Sequence, residues 1–313
     1  MSNRVVFIGS TRRGYLALQE LERLGADLVG VVSLRQHAHE KERYEEPIGQ
    51  WCRERNIPCR ETTAMKDADY AALFREEWKA DWAVAVGLRV LLPKEVWTAP
   101  THGTVGVHDS LLPQYRGFAP LNWAIINGES VTGVSLFQLD DDMDTGALLG
   151  QVGVPIPSDA FAREVYESVC QATVQVLSEA WPGMASGAPS RTPQSEAGAT
   201  YCCARNPEDG RIDWSATTRD VFNLIRGLSH PFPGAYTRWE EGDLKIWKAE
   251  VVNDAPDFVG RVPGRVVGVD RDSGHVDVLT GDGVLRLLVV EPDGAESEGA
   301  PSRWIKSVRG RLG

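Results

Sequence analysis

No stretch of the 313-residue chain approaches the roughly 18 consecutive apolar residues that a membrane helix needs, which excludes that class of protein. The opening "MSNRVVFIGS" has no basic segment followed by an apolar core, so no secretory leader is read there. The cysteines are five (Cys52, Cys59, Cys170, Cys202, Cys203), odd in number and without a Cys-x-x-Cys spacing. Reduced thiols in a cytoplasmic protein are therefore expected, and no structural metal site. Basic excess is lacking too. The net charge is −11, with 15 Lys+Arg against 18 Asp+Glu from residue 204 onward and 18 against 26 before it. Neither half offers a broad basic surface, which disfavours nucleic acid as a partner.

Familiar ligand loops are also missing. "FIGSTRRG" (7–14) has neither the Gly-x-Gly-x-x-Gly nor the P-loop spacing and reads as a tight β–α turn. "DDDMDTG" (140–146) alternates Asp140, Asp142 and Asp144 as a calcium loop would, but Thr145 and Gln151 stand where such a loop needs Gly and Glu. No Gly-x-Ser-x-Gly elbow surrounds Ser110, so no nucleophile is assigned.

What is present is a repeated alternation. "RVVFIG" (4–9), "DLVGVVS" (27–33), "DWAVAVGL" (81–88), "GTVGVH" (103–108) and "GVSLFQL" (133–139) read as strands. Tyr15, Leu18, Leu21 and Leu24 fall at helical spacing, and "PIGQWCRERN", "DADYAALFREEWK" and residues 160–181 read as further helices. Near-continuous apolar strands alternating with helices predict an α/β fold whose mostly parallel sheet is covered on both faces. Residues 182–200, rich in Pro, Gly, Ser and Ala, read as a linker. Beyond them come a helix at "TTRDVFNLIRGL", a turn at "SHPFPGAYT" and several short strands, the pattern of a small β-barrel or sandwich.

In an open α/β sheet, ligands bind beyond the carboxyl ends of the strands, where "TVGVH" delivers His108. Asp144 follows the next apolar strand and precedes Thr145-Gly146. If those strands are neighbours, the two side chains pair. The carboxylate would then favour the imidazolium and raise the histidine pKa. Such a pair can polarise a carbonyl and manage protons while an amine attacks, by direct transfer rather than through a covalent enzyme intermediate.

The stretch "HDSLLPQYRGFAPLNWAIINGESVTGVSLFQLDDDMDTGALLGQ" (108–151) resembles the signature of the folate-dependent formyltransferases, which include methionyl-tRNA and amino-sugar formyltransferases. The likeness extends more loosely over residues 1–180. "RNPEDGRIDW", "HPFPGAYT" and "TGDGVLRLL" resemble that family's C-terminal domain. The resemblance implies a Rossmann-like catalytic domain over 1–181, a linker over 182–204 and an OB-like domain over 205–313. It implies 10-formyltetrahydrofolate as donor and a primary amine as acceptor. The family's catalytic His and Asp fall on His108 and Asp144. Its folate pocket, formed largely by main chain and apolar side chains, falls on Val86, Gly87, Leu88, Arg89, Val90 and Leu92, on Leu112 and Pro113, and on the loop with Leu139, Asp140, Asp142 and Asp144. Ser110, Arg116, Asn122 and Trp123 fall on the acceptor side; for Trp123 a place in a helix core is the competing reading.

One position departs. The family carries an Asn two residues before its His, and this chain has Gly106. Losing one such oxyanion donor costs about 100- to 1000-fold in rate. Three explanations are open: Asn122 or a water substitutes, the chain is a substituted or weakly active form that binds folate, or the site handles another group. The charge balance and the insertion "RQHAHEKERYEEP" (35–47) resemble the branch acting on small amines, such as a nucleotide-linked amino sugar or an amino-acid-like precursor, more than the tRNA enzyme. A homodimer is left open.

Overall fold

The computed structural model describes residues 3–35, 43–65, 69–88 and 91–313. Arg89, Val90 and most of the insertion at 35–47 lie outside the described residues. Two compact units result. The first draws on residues up to Leu121, with Val131–Pro155 and Tyr166–Cys203; the second holds Asn122–Ser130, Ile156–Val165 and Ala204–Gly313.

In the first unit, β1 (Arg4–Gly9), α1 (Thr11–Arg23), β2 (Asp27–Leu34), α2 (Glu45–Arg55) and β3 (Cys59–Thr62) form one run. A short α3 (Asp69–Ala72) passes into a π-helical turn (Leu73–Glu77), then β4 (Trp82–Val86), α4 (Lys94–Trp97) and β5 (Thr104–His108). After a two-residue β6 (Arg116–Gly117) and α5 (Pro120–Ile126) come β7 (Val131–Gln138), β8 (Leu148–Pro155), α6 (Ala162–Ala185) and β9 (Tyr201–Cys202). The sheet order is β3-β2-β1-β4-β5-β7-β8. Its first five strands are parallel, and β7 and β8 add on antiparallel.

The predicted mixed α/β architecture is therefore present, for the reason the sequence suggests. Val6 and Ile8 of β1 pack with Tyr70, Phe74, Trp78 and Val96 on one face. Val5 and Phe7, pointing the other way, are equally buried, while α1 packs on β1, β2 and β4. β3 and β8 escape the periodicity reading. β3 is a four-residue polar edge, and β8 is an edge strand with Gly150 and Gly153 and mostly open side chains. α6 runs four residues past 181 because Pro182 removes a single helical hydrogen bond. Trp181 and Met184 keep their buried places, and the Met184 carbonyl accepts the Trp82 indole N–H.

The second unit sets α7 (Thr218–Leu228) against a five-stranded antiparallel sheet of order β10-β11-β14-β13-β12. These strands are β10 (Ala235–Trp239), β11 (Gly242–Val251), β12 (Val266–Val269), β13 (Val276–Leu279) and β14 (Val284–Pro292). The Thr217 hydroxyl caps α7 by accepting from the Asp220 N–H. Val221, Phe222, Ile225 and Leu228 bury against Leu244, Ile246, Leu285 and Leu287. β10 begins inside the stretch expected to be only a turn, because Ala235 and Thr237 alternate inward. No described helix is long and apolar enough to cross a membrane.

Candidate functional site

His108 ends β5 with 8% of its surface exposed. Its Nε2 lies 2.7 Å from the Tyr115 carbonyl, which can only accept, so that nitrogen carries a proton. Nδ1 stands 3.6 Å from Asp144 Oδ2. The geometry that delivers Asp144 differs from the expectation of two strand ends side by side. β5 and β7 are adjacent but antiparallel, with His108 opposite Ser135 and Val105 opposite Gln138, so their carboxyl ends lie at opposite edges. Asp144 reaches His108 only because residues 139–147 fold back.

Two devices make that return possible. Gly146 packs where a Cβ would stand 1.7 Å from the Gln138 carbonyl, so no side chain fits. Asp144 itself adopts φ 57°, in the left-handed region. Its carboxylate accepts the Gly117 N–H at 2.8 Å.

The electrostatics also correct an expectation. Burial lowers the His108 pKa from its ordinary value of 6.5; the Asp144 carboxylate and the Tyr115 carbonyl pull it upward, and Arg13 adds to the lowering. Desolvation of the charged ring wins because the Asp144 carboxylate is not in hydrogen-bonding range. His108 is thus a neutral imidazole at neutral pH, with Nδ1 as its basic nitrogen. Beside it, buried Arg13 of α1 pairs with Asp109.

Gly106 is buried on the face it shares with His108. A Cβ there would meet Leu139 Cδ2 at 3.0 Å and Phe137 Cε1 at 3.1 Å. Phe137, its cross-strand partner, also presents its ring edge-on to His108, with centroids 6.4 Å apart. The atoms nearest that position, from Leu139 and Phe137, are all apolar carbons.

The "SLLP" turn is braced by Ser135. Its hydroxyl donates to the Ser110 carbonyl at 2.6 Å and accepts from the Leu112 N–H and from Gln151 Nε2. Gln151 Nε2 also reaches the Leu112 carbonyl. Ser110 itself donates to the Gln114 carbonyl at 2.6 Å. Leu112 is buried and Pro113 half-buried.

Of the expected folate residues, Val86 to Leu88 and the Leu112–Pro113 turn leave the sheet at the edge of His108, whereas the loop from Leu139 starts at the opposite edge, beside Thr104, and folds back. β4 and β5 are parallel with Val86 opposite Val107, so the chain leaving Val86 emerges beside His108. Gly87, at φ 70°, turns it out of the sheet. Leu88 and Leu92 are half-buried, and Leu91 is 79% exposed. Leu139 is half-buried; Asp140 accepts from the Thr145 hydroxyl, and Asp142 is exposed. Main chain outside the sheet ladders, flanked by leucines and with its nearest aspartate already engaged, fits a flat heterocycle read along its donor–acceptor edge. Among the described residues no group of three or more His, Cys, Asp or Glu is placed to hold a metal.

The acceptor-side candidates separate. Arg116 is 0% exposed and all its guanidinium donors are engaged, so it does not reach a substrate directly. Asn122 and Trp123 belong to the second unit. Asn122 Nδ2 donates to the Gly227 carbonyl at 2.7 Å, and the Arg205 guanidinium lies over the Trp123 ring at 4.8 Å. Asn122 is therefore committed elsewhere rather than standing in for the missing Asn.

Sequence reading missed the segment that follows α6. Residues 186–203, which fall within the linker expected over 182–204, are tied to the first unit at several points. Thr192 exchanges hydrogen bonds with Leu148, Thr200 bonds Pro113, Tyr115 and Arg116, and β9 pairs with β6. Gln194 lies in it, and no local pattern marks it.

Comparison with known proteins agrees with this architecture. The formyl transferase family model matches residues 3–181, and the model of the formyl transferase C-terminal domain matches residues 205–307. A methionyl-tRNA formyltransferase of Caldanaerobacter subterraneus is 32% identical over 298 residues, covering 95% of this chain and 94% of its own. Among solved structures, the sugar 3N-formyltransferase WlaRD, crystallised with dTDP and 5-N-formyl-THF, superposes with a TM-score of 0.66 at 15% identity, covering 94% of this chain and 99% of that one. HypX from Aquifex aeolicus in complex with tetrahydrofolic acid superposes with a TM-score of 0.65 at 21% identity over 96% of this chain, which spans 46% of HypX. The chain belongs to the formyltransferase family, whose enzymes take the formyl group from 10-formyltetrahydrofolate.

Proposed function

We propose that the chain formylates the amino group of methionyl-tRNA. The observation that carries this reading is the match at 30–35% identity, over more than nine-tenths of both chains in most cases, to proteins named methionyl-tRNA formyltransferase. The sugar-modifying neighbours share only the fold at 15% identity. This replaces the small-amine expectation as the leading reading. A small-molecule amine remains the second reading, favoured by the net charge of −11 and the absence of a basic half.

In either case the donor supplies the formyl carbon that the amine attacks, with the main chain of 86–88 and 139–142 and the leucines at 88, 92, 112 and 139 holding it. Neutral His108 takes the amine proton at Nδ1 and returns it to N10 of the folate as the bond from N10 to the formyl carbon breaks, releasing tetrahydrofolate. Nε2 stays fixed on the Tyr115 carbonyl, and the Asp144 carboxylate stabilises the imidazolium as it forms. With Gly106 lacking a carboxamide, that imidazolium is the charged donor nearest the developing negative charge.

The test is to incubate the protein with 10-formyltetrahydrofolate and either charged initiator tRNA or a panel of amino sugars and amino acids, reading products by mass. Formyl-methionyl-tRNA, formed at a rate that falls steeply with salt, supports the proposal. Formylation of a small amine with none of the tRNA overturns the choice of acceptor.

A further inference from the structure

Arg116 and Gln194 face each other across residues that are far apart in sequence. Arg116 Nε and Nη2 both donate to Gln194 Oε1, at 3.2 and 3.0 Å. Its Nη1 and Nη2 also donate to the Glu196 carboxylate, and Nη1 to the Tyr201 hydroxyl. Every N–H of a buried guanidinium is thereby satisfied, the condition under which burying that charge is tolerable. Gln194 is equally saturated. Its Nε2 donates to the carbonyls of Asp144 and Gly146, both at 2.8 Å, so the orientation of its carboxamide is fixed by four hydrogen bonds to three residues. The residue next to Arg116, Gly117, holds the Asp144 carboxylate through its N–H.

Asp144 is thus gripped at its carbonyl by Gln194 and at its side chain by Gly117. It needs such a grip. Its φ of 57° is costly for a residue with a side chain, and its loop must fold back to His108. The bond from the Gln138 N–H of β7 to the Ala147 carbonyl closes the base of that loop but does not touch Asp144.

We propose that Gln194, aligned by Arg116, is a positioning residue for the reaction: it fixes the Asp144 main chain so that its carboxylate faces His108. Arg116 is then a brace rather than a substrate contact, and residues 186–203 are part of the catalytic apparatus. The inference rests on the reading of His108 and Asp144 as the proton-handling pair. A misplacement of about 1 Å at such a pair costs on the order of 100-fold in rate.

The experiment compares the full-length protein with Gln194→Met, which keeps the volume and removes the hydrogen bonds. Steady-state kinetics with 10-formyltetrahydrofolate and the acceptor found above should show kcat lowered about 10- to 100-fold with the KM for the donor within about twofold. In the resting protein, 15N NMR titration of His108 should show its pKa moved further down as the pull of Asp144 weakens; Arg13, Asp109 and the Tyr115 carbonyl, its other charged and polar neighbours, stay in place. Arg116→Lys, which keeps the charge without the two-pronged grip on Gln194, should move both readouts in the same direction by less. Should Gln194→Met not fold, Gln194→Glu takes its place, since it keeps an acceptor for Arg116 and loses the donors to Asp144 and Gly146. A folded variant with unchanged kcat and an unchanged His108 titration overturns the proposal. The titration needs no turnover, so a shift in it stands even if His108→Ala proves active and the reading of the pair falls.

Discussion

Among the described residues two arginines are at most 2% exposed, one in each unit, and they are satisfied in opposite ways. Arg116 in the first unit is 0% exposed, and Arg226 of α7 in the second is 2% exposed. Arg116 meets a carboxylate, and the hydrogen bonds it donates to Glu196 raise its pKa above the usual arginine value. Among the described residues Arg226 meets no carboxylate in hydrogen-bonding range. Its donors go to Asn223 Oδ1 and to the carbonyls of Pro157, Ala160 and Ile125, and burial lowers its pKa. The first chain of bonds leads through Gln194 to Asp144; the second closes on its own helix, on α5 and on the loop before α6, and stops. A buried charge can serve as a rivet or as a brace for chemistry, and only what lies one bond further on distinguishes them.

That contrast predicts a separation of effects, with the histidine that the brace serves giving the largest. His108→Ala is expected to lower kcat about 100- to 10,000-fold while thermal stability changes little, measured by single-turnover formylation. Full activity in this variant would remove the proton-handling pair from the mechanism. Arg226→Met is expected to lose about 3 kcal/mol in a urea titration, because it leaves the Asn223 and main-chain acceptors buried without a donor, while kcat per folded molecule is unchanged. If kcat falls as it does for Gln194→Met, the two arginines are not different in kind.

Gly106→Asn sharpens the comparison from inside the site. The new side chain meets Leu139 and Phe137, and is expected to cost about 1–3 kcal/mol without raising the rate. Adding Phe137→Ala should recover stability and raise kcat above that of Gly106→Asn alone; an Asn at 106 that accelerates the reaction by itself would show that the apolar filling is no obstacle.

The smallest expected effect is on pH dependence. The folded pKa of His108 lies below 6.5, so over the window beneath 6.5 the unfolded chain binds a proton that the folded one does not. The stability from this group is full above 6.5 and declines as pH falls toward the folded pKa. The rate should follow the neutral ring, level near pH 7 and falling on the acid side with a midpoint below 6.5. A midpoint above 6.5 would mean that Asp144 outweighs burial.

The sequence by itself determined the strands of the parallel core, the second unit's helix and the place of His108 at a carboxyl edge, because apolar periodicity and local turn residues are written within a few positions. The dense motif over 108–151 likewise marked the family, since it packs many chemically committed residues into one stretch. Only the tertiary structure decided that β7 runs antiparallel to β5, that Asp144 arrives by a loop folded back over Gly146, and that burial leaves His108 neutral. It also decided that Arg116 and Asn122 spend their hydrogen bonds internally, and that a Pro- and Ser-rich stretch is a strap carrying Gln194. The physical reason is common to all of these: a polar group's partner across 27 to 105 residues leaves no periodic trace in the chain, and a titrating group's desolvation exists only once the fold has closed around it.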